Sequence, residues 1–284
     1  MIDLKLGLIG DNIARSRSPL LHRLAGVQNG MAVQYDRLIP RDMGEDFDTV
    51  FDRARDRGYR GINVTYPYKE RAAAKVVIDD PLVRAIGAVN TVLFEPDGPR
   101  GQNTDYTGFI AAYRGVRGDT PPGIACLIGT GGVGRALAFA LVALRAEEIR
   151  LVDRDTAKAE SLAADLRAIP DAPRIVVAPD AEQGAAGATG LLNGTPVGMV
   201  GYGGTPLPAG CMAGAEWAFD AVYTPVDTQF LQDAQAAGLV VISGYELFFY
   251  QGVHAWAHFA DKPLDPARLR ADLLSQGDAE DTAR

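Results

Sequence analysis

Residues 124–155 read IACLIGTGGVGRALAFALVALRAEEIRLVDRD. The first six residues, IACLIG, are a continuous apolar run ended by a glycine, which suits a strand buried on both faces. A helical pattern follows over residues 133–148, and IRLVDRD (149–155) reads as the next strand. Between strand and helix lies Gly129-Thr130-Gly131-Gly132-Val133-Gly134, a GxGxxG turn. Such glycine patterns are common, and alone this one would mean only a tight turn. Here it follows a strand and opens a helix, which is the context that marks a dinucleotide site. Glycines let the backbone approach a pyrophosphate, and the helix N-terminus offers unpaired N–H groups and positive potential.

Asp153 ends the second strand about 20 residues beyond the glycines, where this motif expects an acid. A carboxylate there accepts hydrogen bonds from ribose hydroxyls and repels a 2′-phosphate, which favours NAD over NADP. Its neighbour Arg154 leaves the alternative open. An arginine can pair with that phosphate, stack on adenine, or stand as a solvated charge.

Outward from this stretch the βα winding continues. TAKAESLAADLRA reads as a helix, RIVVA as a strand, residues 181–187 as a short helix of small residues, and TGLLNGT as a strand. This repetition is that of an open parallel sheet. Toward the N-terminus, residues 107–123 read as a helix and a Pro/Gly linker. Before them, LKLGLIG (4–10), VQYDRLI (33–39) and YRGINVTYP (59–67) read as strands. Helical patterns separate them, one from Pro19 and one over residues 43–58. At the other end, SGYELFFYQGVHAWAHFADKPL reads as an amphipathic helix ended by Pro263, followed by a disordered end, SQGDAEDTAR.

At 284 residues the chain exceeds one ordinary α/β core, so two domains are expected. A net charge of −8 argues against nucleic acid as partner. No apolar run reaches the roughly 20 residues of a membrane span. The start of the chain lacks a signal-peptide pattern. The two cysteines, Cys126 and Cys211, suggest neither a disulfide framework nor a metal site. A cytoplasmic setting fits these features. Oligomeric state is left open, a homodimer included.

Three further segments concentrate polar side chains at strand ends. Ser16 and Ser18 flank Arg17. Asn63, Thr65 and Lys69 lie in NVTYPYK (63–69). Asn103, Thr104 and Asp105 lie in GQNTDYTG (101–108). Each segment alone can be a turn or a helix cap. Together they resemble the shikimate dehydrogenase family. Its ordered motifs stand here as Ser16-Arg17-Ser18-Pro19, Asn63 to Lys69, Gly87-Ala88-Val89-Asn90-Thr91, Asn103-Thr104-Asp105 and the glycine turn. NGTPVGM (193–199) and DAVYTPVDTQFL (220–231) follow, with Gly244 and Gln251 at the last helix. The resemblance runs to about Pro263, over nearly the whole chain.

The resemblance implies an α/β fold of two domains with a cleft. Residues 1–107, completed by 246–275, would form the α/β substrate and catalytic domain, and residues 108–245 a Rossmann NAD(P)-binding domain. It implies reversible hydride transfer between shikimate and 3-dehydroshikimate, or quinate and 3-dehydroquinate. Lys69 and Asp105 would flank the reacting hydroxyl, Ser16, Ser18 and Tyr223 would hold the carboxylate, and Thr65, Asn90 and Gln251 would contact ring hydroxyls. Gly129, Gly131, Gly132, Val133 and Gly134 would hold the pyrophosphate, and Thr195, Val222 and Gly244 would line the nicotinamide. Asp153-Arg154-Asp155 departs from the Asn-Arg-Thr of many NADP-using relatives and resembles the NAD-preferring quinate/shikimate dehydrogenases. Leu247-Phe248 replaces the family's usual Met-Leu, which leaves ring selectivity undecided. Ser18, where some quinate-active relatives have threonine, tilts the reading to shikimate. The rivals are a quinate-first enzyme, a paralogue acting on an amino-substituted ring, and a non-catalytic dinucleotide sensor. His254 and His258 lack the glutamate of a zinc-protease motif and are read as packing or surface residues, with His22 structural.

Overall fold

The computed structural model describes residues 2–281. It divides into two compact units, one of residues 1–104 with 251–284, the other of residues 105–250. These divisions fall a few residues from the boundaries expected at 107/108 and 245/246.

In the first unit, β1 (Leu4–Ile9), α1 (Ser18–Gln28), β2 (Val33–Leu38), α2 (Pro40–Met43), α3 (Phe47–Asp56) and β3 (Gly61–Val64) come first. Then follow α4 (Lys69–Ala73), α5 (Pro81–Ile86), β4 (Thr91–Glu95) and β5 (Gly98–Gln102). The sheet order is β2-β1-β3-β4-β5. The first three strands run parallel, and β4 and β5 add an antiparallel hairpin. The helix expected over residues 43–58 runs only from Phe47 to Asp56, and Met43 belongs instead to the end of α2. Gly44 takes φ 66° and closes α2, and the Asp46 carboxylate accepts the Thr49 N–H at 2.8 Å to start α3. The strand expected to reach Pro67 ends at Val64, because the Tyr68 N–H turns back to the Thr65 carbonyl.

Alternation along β3 sends Ile62 and Val64 to a core shared with Phe47, Val50, Phe51 and Val92. On the opposite face, Asn63 accepts a hydrogen bond from the Tyr35 hydroxyl at 2.8 Å. His22 stacks on Tyr35 with ring centroids 4.9 Å apart and packs against Trp256 and Phe259. Burial drives the His22 pKa down to about 3, so it is a neutral core residue.

The second unit runs through α6 (Thr104–Arg117), β6 (Ile124–Ile128), α7 (Gly132–Ala143), β7 (Glu148–Val152), α8 (Thr156–Arg167), β8 (Arg174–Val177) and α9 (Ala181–Ala185). It continues with β9 (Gly190–Asn193), β10 (Trp217–Asp220), α10 (Gln229–Ala236), β11 (Val240–Ile242) and the start of α11 (Gly244–Ala260). All six strands are parallel, in the order β11-β10-β9-β6-β7-β8. That order reverses beside β6, the topological switch point at which such sheets bind dinucleotides. The α7 helix stops at Ala143, five residues before the expected end. Arg145 takes φ 63°, and Glu148 already belongs to β7, its carboxylate held by Arg150 and Arg174 at 2.5 and 2.8 Å.

Helix α12 (Pro266–Asp281) returns to the first unit. The end expected to be disordered from residue 275 is helical to Asp281, and residues 282–284 lie outside the described residues. The helix is fixed by burial of Leu269 and Leu273 and by the Asp265 carboxylate accepting the Arg268 N–H at 3.1 Å. No helix among the described residues is long and apolar enough to cross a membrane.

Candidate active site

The glycine turn begins where β6 ends. Gly129 has φ 96°, a conformation that favours glycine, and a Cβ there would lie 2.6 Å from Thr195 Cγ2. A Cβ on Gly134 would lie 2.0 Å from the Gly129 carbonyl oxygen. Strand end and helix start are therefore closer than any side chain permits. At Gly131, the N-cap of α7, a Cβ would meet nothing within 4 Å, and no side chain caps the helix. The N–H groups of Gly132, Val133 and Gly134 are thus left to an outside acceptor, beside a backbone stripped of side chains. These residues fit a pyrophosphate.

The other cofactor candidates of this unit stand at the ends of adjacent strands. Asp153 and Arg154 follow β7, Thr195 follows β9, Val222 follows β10 and Gly244 follows β11. Burial raises the Asp153 pKa, but the N–H groups of Asp155 and Thr130, the Thr130 hydroxyl and the Lys158 charge outweigh it and hold the carboxyl below its ordinary range. It stands as a carboxylate, the form that favours ribose hydroxyls. Arg154 is exposed.

Two buried residues organise the nicotinamide-side candidates, and the sequence reading assigned a role to neither. Asn193 Oδ1 accepts from the Thr195 N–H at 3.0 Å and its hydroxyl at 2.6 Å, while Nδ2 donates to Val197 O and Asp220 Oδ1. Asp220 also accepts from the Val222 N–H at 2.9 Å and the Thr228 hydroxyl at 2.6 Å. One carboxylate thereby ties the loop after β9 to the loop after β10. A Cβ on Gly244 would lie 2.4 Å from Val222 O, so α11 starts against this loop only because residue 244 is glycine. Tyr223 stacks on Phe248 with centroids 4.9 Å apart.

Burial pushes the Asp220 pKa up to about 6, against its three hydrogen-bond donors. An acid whose pKa rises on folding favours the folded chain while protonated, and that contribution is lost as pH climbs through about 6. Asp220→Asn cannot ionise. We expect it to gain roughly 2–3 kcal/mol relative to the parent as pH rises from about 4 to about 7. Loss of the Thr228 acceptor adds only a pH-independent offset. Urea midpoints of both proteins across that range check this, and a constant difference between them would rule it out.

In the first unit Asn90 is the hub of the substrate candidates. Its Nδ2 donates to Thr104 Oγ1 at 3.0 Å and Gln251 Oε1 at 3.2 Å, and its Oδ1 accepts the Thr104 N–H at 2.7 Å. Asn63 donates to Asn90 O and Thr91 Oγ1. Ser16 Oγ donates to Ser18 Oγ at 3.1 Å, and the Ser18 N–H donates to Ser16 Oγ at 3.3 Å. Arg37 anchors this turn through Ser16 O at 2.7 Å. Arg17 points elsewhere, to Leu273 O on α12. Two hydroxyls at the opening of α1 suit an anionic oxygen. Thr65 lies just past β3. Lys69 opens α4 half-buried, its carbonyl accepting the Val89 N–H at 2.9 Å. Asp105 is buried in the first turn of α6, where the helix dipole favours a carboxylate. That helix begins at Thr104, three residues earlier than expected, because Asn90 receives the Thr104 N–H.

Over 278 residues the chain is 36% identical to a quinate/shikimate dehydrogenase (NAD(+)) of Corynebacterium efficiens, covering 95% of this chain and 97% of that one. The chain belongs to the shikimate dehydrogenase family. The family model described as the shikimate dehydrogenase substrate binding domain matches residues 8–92. That match includes Ser16, Ser18, Thr65, Lys69 and Asn90. A shikimate dehydrogenase (NADP(+)) of Streptomyces avermitilis is 35% identical over 274 residues, with 94% of each chain covered. Among solved structures, quinate dehydrogenase from Corynebacterium glutamicum in complex with NAD matches with a TM-score of 0.86 at 33% identity. The match covers 97% of this chain and all of that one. Shikimate 5-dehydrogenase from Thermus thermophilus in complex with NADP(H) and shikimate matches with a TM-score of 0.82 at 32% identity, covering 96% of this chain and 99% of that one. Family membership accounts for the substrate-side motifs, but Thr130, Asn193 and Asp220 emerge only from the hydrogen bonds. The histidine pair on α11 belongs to no metal-ligating group among the described residues.

Proposed function

We propose that this chain is a cytoplasmic, NAD-linked dehydrogenase that reversibly oxidises shikimate to 3-dehydroshikimate, accepts quinate as well, and uses NADP less well. The observation that carries the cofactor half is Asp153, a carboxylate held ionised at the end of β7, one strand from the glycine turn. The relatives bearing NAD(+) in their names carry the substrate half. One chain supplies every residue invoked, so a homodimer is not required for the chemistry.

A nicotinamide bound there would supply the acceptor for the hydride that leaves the carbinol carbon. The chain must then remove the hydroxyl proton as the carbonyl forms, and return it in reverse. Lys69 is the group at that oxygen, as the amine that accepts the proton or the ammonium that steadies a developing alkoxide. Asp105 is the second group assigned to this hydroxyl, as the carboxylate that accepts from it. Ser16 and Ser18 donate to the substrate carboxylate, with Tyr223. Thr65, Asn90 and Gln251 serve the ring hydroxyls. The Asn90–Gln251 bond, at 3.2 Å the longest that the Asn90 amide donates, is the one to be exchanged for a substrate hydroxyl. Gly129 to Gly134 seat the pyrophosphate, and Thr195, Val222 and Gly244 bound the nicotinamide.

Initial rates with shikimate or quinate, each paired with NAD or NADP, test this. Turnover with NAD on either acid, exceeding that with NADP, is expected. Turnover with NADP alone would hand the ribose site to Arg154, and stoichiometric NAD binding without turnover would favour a sensor.

A further inference from the structure

The Asp153 carboxylate is largely occupied by its own chain. The Thr130 N–H and the Thr130 hydroxyl both donate to Oδ2 at 2.8 Å, and the Asp155 N–H donates to Oδ1 at 3.0 Å. An ionised carboxylate has about four acceptor positions. Three are filled here, and the one left is on Oδ1. Thr130 is 3% exposed, so its hydroxyl has little water to bond instead. Its branched β-carbon restricts the rotamers open to it. The residue sits inside the glycine turn, as the second residue of Gly129-Thr130-Gly131. The turn that seats a pyrophosphate and the acid that meets a ribose are thus joined by a side-chain hydrogen bond.

We propose that Thr130 is a specificity-determining residue. By holding Asp153 through Oδ2, it presents Oδ1 as a single fixed acceptor for an adenosine ribose hydroxyl and thereby sets the preference for NAD. The proposal rests on the NAD reading above. Without the hydroxyl, Oδ2 keeps only a backbone donor, and the carboxylate is free to turn toward Lys158 on α8, whose charge it already feels. A ribose hydroxyl then meets a mobile acceptor, and NAD loses the advantage of a pre-oriented contact. A 2′-phosphate gains nothing from that acceptor in either case, so NADP affinity is left nearly unchanged.

The test uses the full-length protein, with dissociation constants for NAD and NADP from titration calorimetry and KM and kcat for both. Thr130→Val removes the donor and keeps the branched shape, while Thr130→Ser keeps the donor. Valine is expected to weaken NAD binding about tenfold, with the rise in KM and not in kcat. Its NADP constants should stay within about twofold, and serine should restore the parent values. Equal weakening of both cofactors by valine would mean a loosened turn and overturn the proposal. So would unchanged NAD binding, or serine behaving like valine. Asp153→Asn in the same assay separates the two ideas. A parental NAD:NADP ratio in that variant sinks the Asp153 reading itself. If Asp153→Asn loses the preference and Thr130→Val keeps it, only the role of Thr130 falls.

Discussion

Lys69→Ala is expected to lower kcat about a thousandfold while the dissociation constants of NAD and of the acid substrate stay within a few-fold. The fold has little reason to fail. One contact at this position, from the Val89 N–H to the Lys69 backbone carbonyl, is kept by alanine. Alanine also suits the first turn of α4 better than most residues. What is lost is the group assigned to carry the hydroxyl proton, while Asp105 can still accept from the hydroxyl but does not replace the amine. Lys69→Arg refines the test, because arginine restores the positive charge and does not give up its proton near neutral pH. If arginine stays as slow as alanine, proton transfer is the larger part of the role. If arginine recovers most of the rate, the charge alone suffices. An alanine variant with parental kcat would make Lys69 an ordinary surface ion-pair residue, worth little in any measurement. Single-turnover rates with preloaded NAD separate the chemical step from binding.

The second unit was legible because each of its features is a local pattern with a physical cause. IACLIG is a short apolar run ended by a glycine turn, which suits a strand covered on both sides, and the turn after it needs glycine at 129 and 134 for reasons of distance. The order of the outer strands was not legible. Trp217–Asp220 and Val240–Ile242 are runs of four and three residues, too short for periodicity to speak. In the first unit, the parallel strands were read and the β4–β5 hairpin was not, since GPRGQ has no alternation of apolar and polar residues. The helix breaks at Gly44 and Arg145 turn on single residues of positive φ. The polar tail SQGDAEDTAR carries no local pattern of order, because what orders α12 is tertiary, burial of Leu269 and Leu273.

Site residues divide in the same way. Those in ordered motifs, from Ser16 to Gln251, could be named because a family resemblance carries position as well as type. Asp220 lay within such a motif, but no one-dimensional pattern says that its carboxylate reaches Asn193, 27 residues earlier, as well as Thr228. Asp153 was read as the ribose reader from spacing alone. That Thr130 occupies one of its oxygens is a fact of distance, which spacing cannot contain.

Gly134→Ala is expected to weaken NAD binding by about a hundredfold and to leave the protein folded. The added carbon would lie 2.0 Å from the Gly129 carbonyl oxygen, so something must move. If α7 retreats, it opens the packing of Ala136, Leu137, Ala140 and Leu141, all fully buried, and full burial of one leucine is worth about 1.5–3 kcal/mol. If the turn moves, it shifts glycine backbone next to Gly131, where no atom lies within 4 Å of a Cβ position. The second cost is the smaller, so the turn yields, and the N–H groups aimed at the pyrophosphate yield with it. Losing two such charge-assisted bonds accounts for the hundredfold. Gly131→Ala isolates the ligand's share of this effect. Its φ of −72° suits any residue and its Cβ touches nothing in the chain, so the urea midpoint should not change. NAD binding should still fall, because the methyl group stands where a phosphate approaches. If Gly134→Ala instead keeps its NAD affinity and loses stability, α7 has moved and the turn is the stiffer part. If Gly131→Ala binds NAD as the parent does, the pyrophosphate does not pass that face of the turn.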